Sequence, residues 1–305
     1  MSLKQYHSNG KLLITGEYLV LRGATALALP LRYGQELRIK PMETSKELLW
    51  KTYVGNKLWF EAKFDQELNI LHTTLKTVAI HLQKILKTAL HFQGVSVQSL
   101  SGNEIRSDID FDINWGFGSS SSLISNIGYW LKINPFQLLF ETTNGSGYDI
   151  AAARSNKPII YHLEKEGPQY MNIDFDPSFK DDLFFVYMGK KQKSESSVEK
   201  FNQTSVNQKD IDYVSEITKK IVSASTLDEF NALIREHNQI MSSILKQPAP
   251  GEDQFSDFEG EIKPLGAWGG DFILVTSKNE KKYVDKYFQS RGLKTIFPYS
   301  KLVKS

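Results

Sequence analysis

Asn114-Trp115-Gly116-Phe117-Gly118-Ser119-Ser120-Ser121-Ser122, followed at once by Leu123, Ile127, Trp130 and Leu131 at helical spacing, is the most informative stretch of this 305-residue chain. Glycines at 116 and 118 let the backbone turn tightly and come close to a ligand, and four hydroxyls at a helix N-terminus add donors to the N–H groups left free there. Such a site suits phosphate. Two familiar phosphate loops fail on the letters. No lysine follows the glycines as a P-loop requires, and Ser121 stands where a dinucleotide fingerprint has its third glycine. Taken alone, the stretch reads equally well as a serine-capped helix after a glycine turn.

Outward from it, the chain changes period several times. Toward the N-terminus, residues 11–21 are apolar and β-branched but interrupted by Gly16-Glu17, and 36–40 alternate. Residues 49–54 and 57–62 flank Gly55-Asn56 and predict a hairpin. Leu68, Leu71, Leu75, Val78, Leu82, Leu86 and Leu90 predict one long amphipathic helix ended by Gly94, with a strand after it at 95–100. Beyond 119–131, Pro135 marks the first turn of another helix. Strands are expected at 158–163 and 183–188, then a polar loop over 189–208, helices over 211–224 and 227–245, and a break at Pro248 and Pro250. A glycine-rich turn at 266–270 leads to a strand at 272–277, a helix at 280–289 and a strand at 293–297. Strands and helices alternate without a parallel βαβ rhythm, so the expected class is α+β.

Composition narrows the chemistry. With 40% hydrophobic residues, 18 Phe, 13 Tyr and 5 Trp, the chain has ample material for a core. A net charge of +2 from 37 Lys+Arg and 35 Asp+Glu, without a basic stripe, argues against nucleic-acid binding. No apolar run is long enough to cross a bilayer and residues 1–10 are polar, so a cytoplasmic protein without membrane contact is expected. The absence of cysteine excludes thiolate chemistry and Cys-ligated zinc, and the six histidines lack metalloprotease spacing.

Three further segments give the central motif its context: Gly10-Lys11-Leu12-Leu13-Ile14-Thr15-Gly16-Glu17-Tyr18-Leu19-Val20, Gly145-Ser146-Gly147-Tyr148-Asp149-Ile150-Ala151-Ala152-Ala153, and Leu265-Gly266-Ala267-Trp268-Gly269-Gly270-Asp271. In this order, the four resemble the signature motifs of the GHMP kinase superfamily, the Gly-Tyr-Asp-Ile-Ala run most closely its mevalonate and phosphomevalonate kinase branch and a compact bacterial subgroup.

The resemblance implies ATP-dependent phosphoryl transfer to a small-molecule hydroxyl or phosphate. It also implies a ribosomal-S5-like domain at 1–170 and a ferredoxin-like domain at 171–305, with ATP and acceptor in the cleft between them. Gly116, Gly118, Ser119, Ser120 and Ser121 would hold the ATP phosphates, with Ser119 also serving Mg2+. Asp149 would be the general base, ionised beside Lys11. Gly266, Ala267, Trp268, Gly269 and Gly270 would border the acceptor. Glu141 is the candidate magnesium carboxylate, with a solvated helix charge as the other reading. Lys190, Lys191 and Lys193 could meet an acceptor phosphate or be a solvated loop. Departures are Asp112 at the second motif's usual proline, Ser121 at its alanine, and Trp268 in place of a glycine. A diphosphomevalonate-decarboxylase-like enzyme and a non-catalytic ligand-binding relative are the alternatives, and both monomer and homodimer stay open.

Overall fold

The computed structural model describes residues 3–43, 45–190, 198–199, 201–249, 254–266, 268 and 271–304. The chain forms two compact units. One comprises Met1–Gly10, Tyr33–Ile113 and Phe117–Arg154, the other Lys11–Arg32, Asn114–Gly116 and Ser155–Ser305. Two strands, β1 (Lys4–Leu13) and the 16-residue β2 (Ala26–Pro41), contribute residues to both.

In the first unit, β3 (Leu48–Val54), β4 (Lys57–Phe64), β5 (Ile70–Thr73) and β6 (Asn103–Ile109) join β2 in the order β5-β4-β3-β6-β2. The β3–β6 pair is parallel and the others antiparallel. Gly55-Asn56 makes the expected hairpin turn between β3 and β4. Four helices accompany the sheet: α1 (Lys76–Gln93), α2 (Ser119–Leu131), α3 (Pro135–Thr142) and α4 (Tyr148–Arg154). Their apolar faces and the sheet share one core that includes Trp50, Phe60, Leu82, Ile124, Leu138 and Ile150. Burying side chains of this size contributes about 1.5–3 kcal/mol each.

The second unit pairs Ala26–Ala28 of β2 with β7 (Ile159–Glu164), and β7 with β8 (Gly167–Asn172). A second, antiparallel sheet has the order β10-β11-β9-β12, built from β9 (Leu183–Tyr187), β10 (Ile262–Pro264), β11 (Phe272–Thr276) and β12 (Ile296–Pro298). Helices α5 (Gln208–Ser223), α6 (Leu227–Leu245), α7 (Lys281–Gln289) and α8 (Tyr299–Leu302) complete it. Leu31 and Val303 form an isolated antiparallel bridge, and Lys304 N–H donates to the Pro30 carbonyl at 2.9 Å.

The expected elements hold where the signal is local: α2 begins and ends as read, α3 begins at Pro135, and Gly94 caps α1 at φ 72°. Several expectations fail. Strand β1 ends at Leu13 and Leu19–Arg22, in the stretch read as strand, is a 3-10 turn, while Phe201 and Asn202 of the expected loop are helical. The leucine spacing from Leu68 does not mark one helix, because α1 starts only at Lys76 and β5 occupies part of the stretch. Asp65 is the cause: its carboxylate accepts the N–H groups of Glu67 and Asn69, closing a turn in which Leu68 takes φ 59°. The strand expected at 95–100 is a 3-10 turn over Val97–Leu100, started by the Ser96 hydroxyl accepting Gln98 N–H, and β6 follows it. Strands β5, β8 and β10 carry no clear period and were not anticipated. Residues 191–197 and 200 of the expected loop, with Lys191 and Lys193, lie outside the described residues, as does Pro250.

Candidate functional site

In the first unit the chain enters α2 through Gly118, which has φ 88° and ψ 42°, a left-handed conformation that disfavours any side chain. The serines that follow divide into two pairs. Ser121 and Ser122 are buried, and the Ser121 hydroxyl donates to the Gly118 carbonyl at 2.9 Å. Ser122 Oγ donates to Gln35 Oε1 at 2.6 Å, and Gln35 Nε2 donates to Ser107 Oγ at 2.6 Å. Asn126 Nδ2 donates to the Gln35 carbonyl, and Ser8 Oγ lies 2.8 Å from both Ser125 Oγ and Asn126 Oδ1. This buried polar network satisfies its members and fixes α2 on the sheet. Ser119 is half-buried and Ser120 exposed, and these two border open space.

That space is a cavity of about 280 Å³ lined by Ser119 and Ser120 together with Trp50, Trp59, Phe60 and His81. Its walls are mainly apolar, and Trp50 Nε1 is already donated to Thr52 Oγ1 at 3.1 Å. A flat aromatic group would stack here while anionic groups attached to it reached the helix N-terminus. Sequence reasoning missed this wall. The only available signal was the pair of tryptophans on the predicted hairpin, which alternation alone assigns to the core.

Asp149 is the second residue of α4, after Gly147 in a left-handed conformation at φ 93°. It is partly exposed, and its Oδ1 accepts the Ile150 N–H at 3.0 Å. Helix α4 packs on α2, and Arg154 lies 3.8 Å from the Tyr129 ring centroid, a cation–π contact between the two helices. Glu141 is exposed on α3. Among the described residues no group of three His, Asp or Glu side chains is arranged to hold a metal. The Ser119 hydroxyl and the Glu141 carboxylate are oxygen donors of the kind magnesium takes when phosphates fill most of its shell.

The second unit carries Lys11 and the Asn114–Gly116 loop. Lys11 Nζ donates to the Gly116 carbonyl at 3.1 Å. Gly116 has φ 67°, and a Cβ there would sit 1.8 Å from Asp271 Oδ2. The Trp115 ring meets Phe272 and Phe297 edge-on, with centroids 6.5 and 5.2 Å away. Of the third motif, Gly266 is described at φ 70°, while Ala267, Gly269 and Gly270 lie outside the described residues. Trp268 is 9% exposed and packs with Leu19, Ile211, Val214 and Met241. Its Nε1 donates to the Pro248 carbonyl at 3.0 Å and its backbone N–H to the Tyr18 hydroxyl at 2.8 Å.

Beneath the first motif lies a cluster the sequence did not suggest. Glu17, Lys263 and His237 are fully buried. Lys263 Nζ donates to Glu17 Oε1, and His237 Nε2 lies 3.2 Å from Glu17 Oε2 and accepts Gly16 N–H at 3.4 Å. A lysine is almost never buried without a partner. Burial pushes the Glu17 carboxyl up, opposed by Lys263, and pushes the Lys263 ammonium down, opposed by Glu17. Burial, reinforced by the Lys263 charge, holds His237 well below the usual histidine range, so its imidazole is neutral at neutral pH. The separation of 246 positions between Glu17 and Lys263 explains why no local pattern revealed the pair.

No family model and no curated protein matches the chain. Solved structures do. The Streptococcus pneumoniae phosphomevalonate kinase in complex with phosphomevalonate and AMPPNP superposes with TM-score 0.72 at 16% identity, over 96% of this chain and 99% of that one. The Methanococcus jannaschii mevalonate kinase gives 0.70 at 15%, over 97% of each chain. The mevalonate diphosphate decarboxylase from Enterococcus faecalis gives 0.60 at 14%, over 99% and 95%. All three are GHMP kinase superfamily proteins, and the chain has that superfamily's α+β fold. At this identity the likeness is one of fold. Among the described residues no helix is long and apolar enough to cross a membrane.

Proposed function

We propose that this protein is a magnesium- and ATP-dependent small-molecule kinase of the GHMP type, cytoplasmic, acting on an acceptor of the mevalonate or phosphomevalonate kind in isoprenoid synthesis. The observation that carries the reading is the aromatic cavity meeting the N-terminus of α2, where Ser119 and Ser120 stand at its edge after a left-handed Gly118. Such a site suits a purine stacked against Trp59 with its phosphates on the helix N-terminus. Ser121, whose hydroxyl is donated to the Gly118 carbonyl, would serve through its backbone N–H.

Phosphoryl transfer depends mainly on positioning and on neutralising charge as it develops. In the proposal Asp149 accepts or orients the acceptor's proton, and Lys11 supplies positive charge to the transferring group. Gly266, Ala267, Gly269 and Gly270 let the backbone approach the acceptor. Ser119 and Glu141 would hold magnesium, which would supply charge neutralisation for the phosphates. Functionally, residues 1–170 would carry the nucleotide and Asp149, and 171–305 the third motif.

The test is ADP release coupled to mevalonate, phosphomevalonate, diphosphomevalonate, homoserine or galactose, beside an ATP titration. Turnover of any one supports the kinase. Carbon dioxide release with diphosphomevalonate would instead select the decarboxylase reading. Neither turnover nor ATP binding would leave a non-catalytic protein with this fold.

A further inference from the structure

The Gly16-Glu17-Tyr18 step of the first motif takes no part in the chemistry above, yet its backbone is strained at Tyr18. Tyr18 has φ 57° and ψ −44°, and Leu19 N–H donates to the Glu17 carbonyl at 2.6 Å. That is a γ-turn with positive φ, a rare conformation for which a bulky residue has little tolerance. Strain of this kind persists only where surrounding contacts over-determine it.

Here the contacts are specific. On one side of the turn, the Glu17 carboxylate takes the ammonium of Lys263, two residues ahead of Leu265, where the third motif opens. On the other, the Tyr18 hydroxyl accepts the backbone N–H of Trp268, within that motif, at 2.8 Å. The Tyr18 ring stacks on Phe201 with centroids 5.1 Å apart, which fixes where its hydroxyl points. His237 accepts Gly16 N–H and so anchors the turn's entry. A regular continuation of the chain past Gly16 would not send residues 17 and 18 to these two partners together.

We propose that Glu17 and Tyr18 are positioning residues: the strained turn holds them so that they fix the third motif at two points, Lys263 and Trp268. The turn's strain is then the condition for setting Lys263 and Trp268, and the first motif acts with these two residues as one element. The inference deepens the kinase reading and rests on it only for the effect on turnover.

Tyr18→Phe is the decisive variant, because it removes one oxygen and keeps the ring on Phe201. Leaving the Trp268 N–H without its buried acceptor should speed amide exchange at Trp268 by roughly 10-fold or more, and reduce kcat by a similar factor. ATP affinity should stay within about twofold and Tm within ~4 °C, since the nucleotide cavity is elsewhere and one hydrogen bond is lost. Glu17→Gln leaves the buried Lys263 ammonium without its counter-charge and should lower Tm together with kcat, so Tyr18→Phe is the variant that decides. In Tyr18→Phe, exchange at Trp268 within twofold of wild type would overturn the proposal. So would a kcat loss that tracks a parallel loss of Tm and ATP binding, the signature of general unfolding. If wild type turns over no acceptor, the kinase reading fails while exchange at Trp268 still tests the positioning.

Discussion

The Asp271 carboxylate fills the space that a side chain at residue 116 would need: a Cβ on Gly116 would stand 1.8 Å from Asp271 Oδ2 and 2.7 Å from its Cγ. Lys11 binds the carbonyl of the same glycine. The loop of the second motif is thereby gripped by a residue of the first and a residue of the third, all within one compact unit.

Gly116→Ala should therefore be destabilised on two counts, the left-handed φ and the collision with Asp271. Together these cost about 1–3 kcal/mol. Thermal unfolding measures it, and a Gly116→Ala/Asp271→Gly double variant should recover only the part due to the collision.

Trp59→Ala removes a wall of the aromatic cavity without opening the core, since Trp59 is only partly buried. Loss of stacking should weaken ATP binding by roughly 5–30-fold. Calorimetric titration reads this directly, and acceptor KM should be little changed.

Asp149→Ala should lower kcat by about 100-fold or more, the usual contribution of a positioned acid or base. ATP affinity should be retained. Full turnover in this variant would remove Asp149 from the reaction.

Lys263→Met alone leaves Glu17 buried without its cation and should destabilise by about 3–5 kcal/mol. Glu17→Met with Lys263→Met exchanges the pair for apolar volume and should restore most of the Tm. Denaturant titration of the two variants distinguishes these outcomes.

His237 gives a pH signature with a definite sign. Its folded pKa lies well below 6.5, so as pH falls through 6.5 the unfolded chain binds a proton the folded chain refuses. Stability is complete above that pH and declines below it. The raised pKa of Glu17 acts in the opposite sense, drawing protons to the folded state above 4.5. The comparison with His237→Gln isolates the histidine: between pH 6.5 and 5, Tm of the variant should fall less steeply than that of the wild type.

What could be read beforehand follows the range of the interaction. Gly118, Ser119 and Pro135 announce their helices because caps act over three or four residues, and α2 and α3 start where they should. Asp65 carried a local signal too, an Asx turn, but the leucine spacing around it imitates a helix and hides it. The division of the four serines is different in kind. Nothing near Ser122 reveals that its partner is Gln35, 87 residues away, or that Ser120 is left to face a cavity. Trp50 and Trp59 become neighbours of that cavity only through sheet register and the placement of α1. The Glu17–Lys263 pair was illegible for the same reason, and its buried charges contradict the expectation that such residues face water.

The bridge between Leu31 and Val303, with Lys304 bonded to Pro30, has a consequence for how the protein is made. All of the first unit has been synthesised once Arg154 is added, whereas residues 11–32 belong to the other unit and must wait for partners from 155 onward. At typical elongation rates the interval from Leu31 to Val303 is roughly 15–50 s. Ala26–Ala28 find β7 early in that interval, whereas the Glu17 carboxylate lacks its cation until Lys263 is added. A nascent chain stalled before Lys263 should accordingly present the Glu17 turn to chaperones or proteases, and synthesis of Lys263 would be the event that withdraws it.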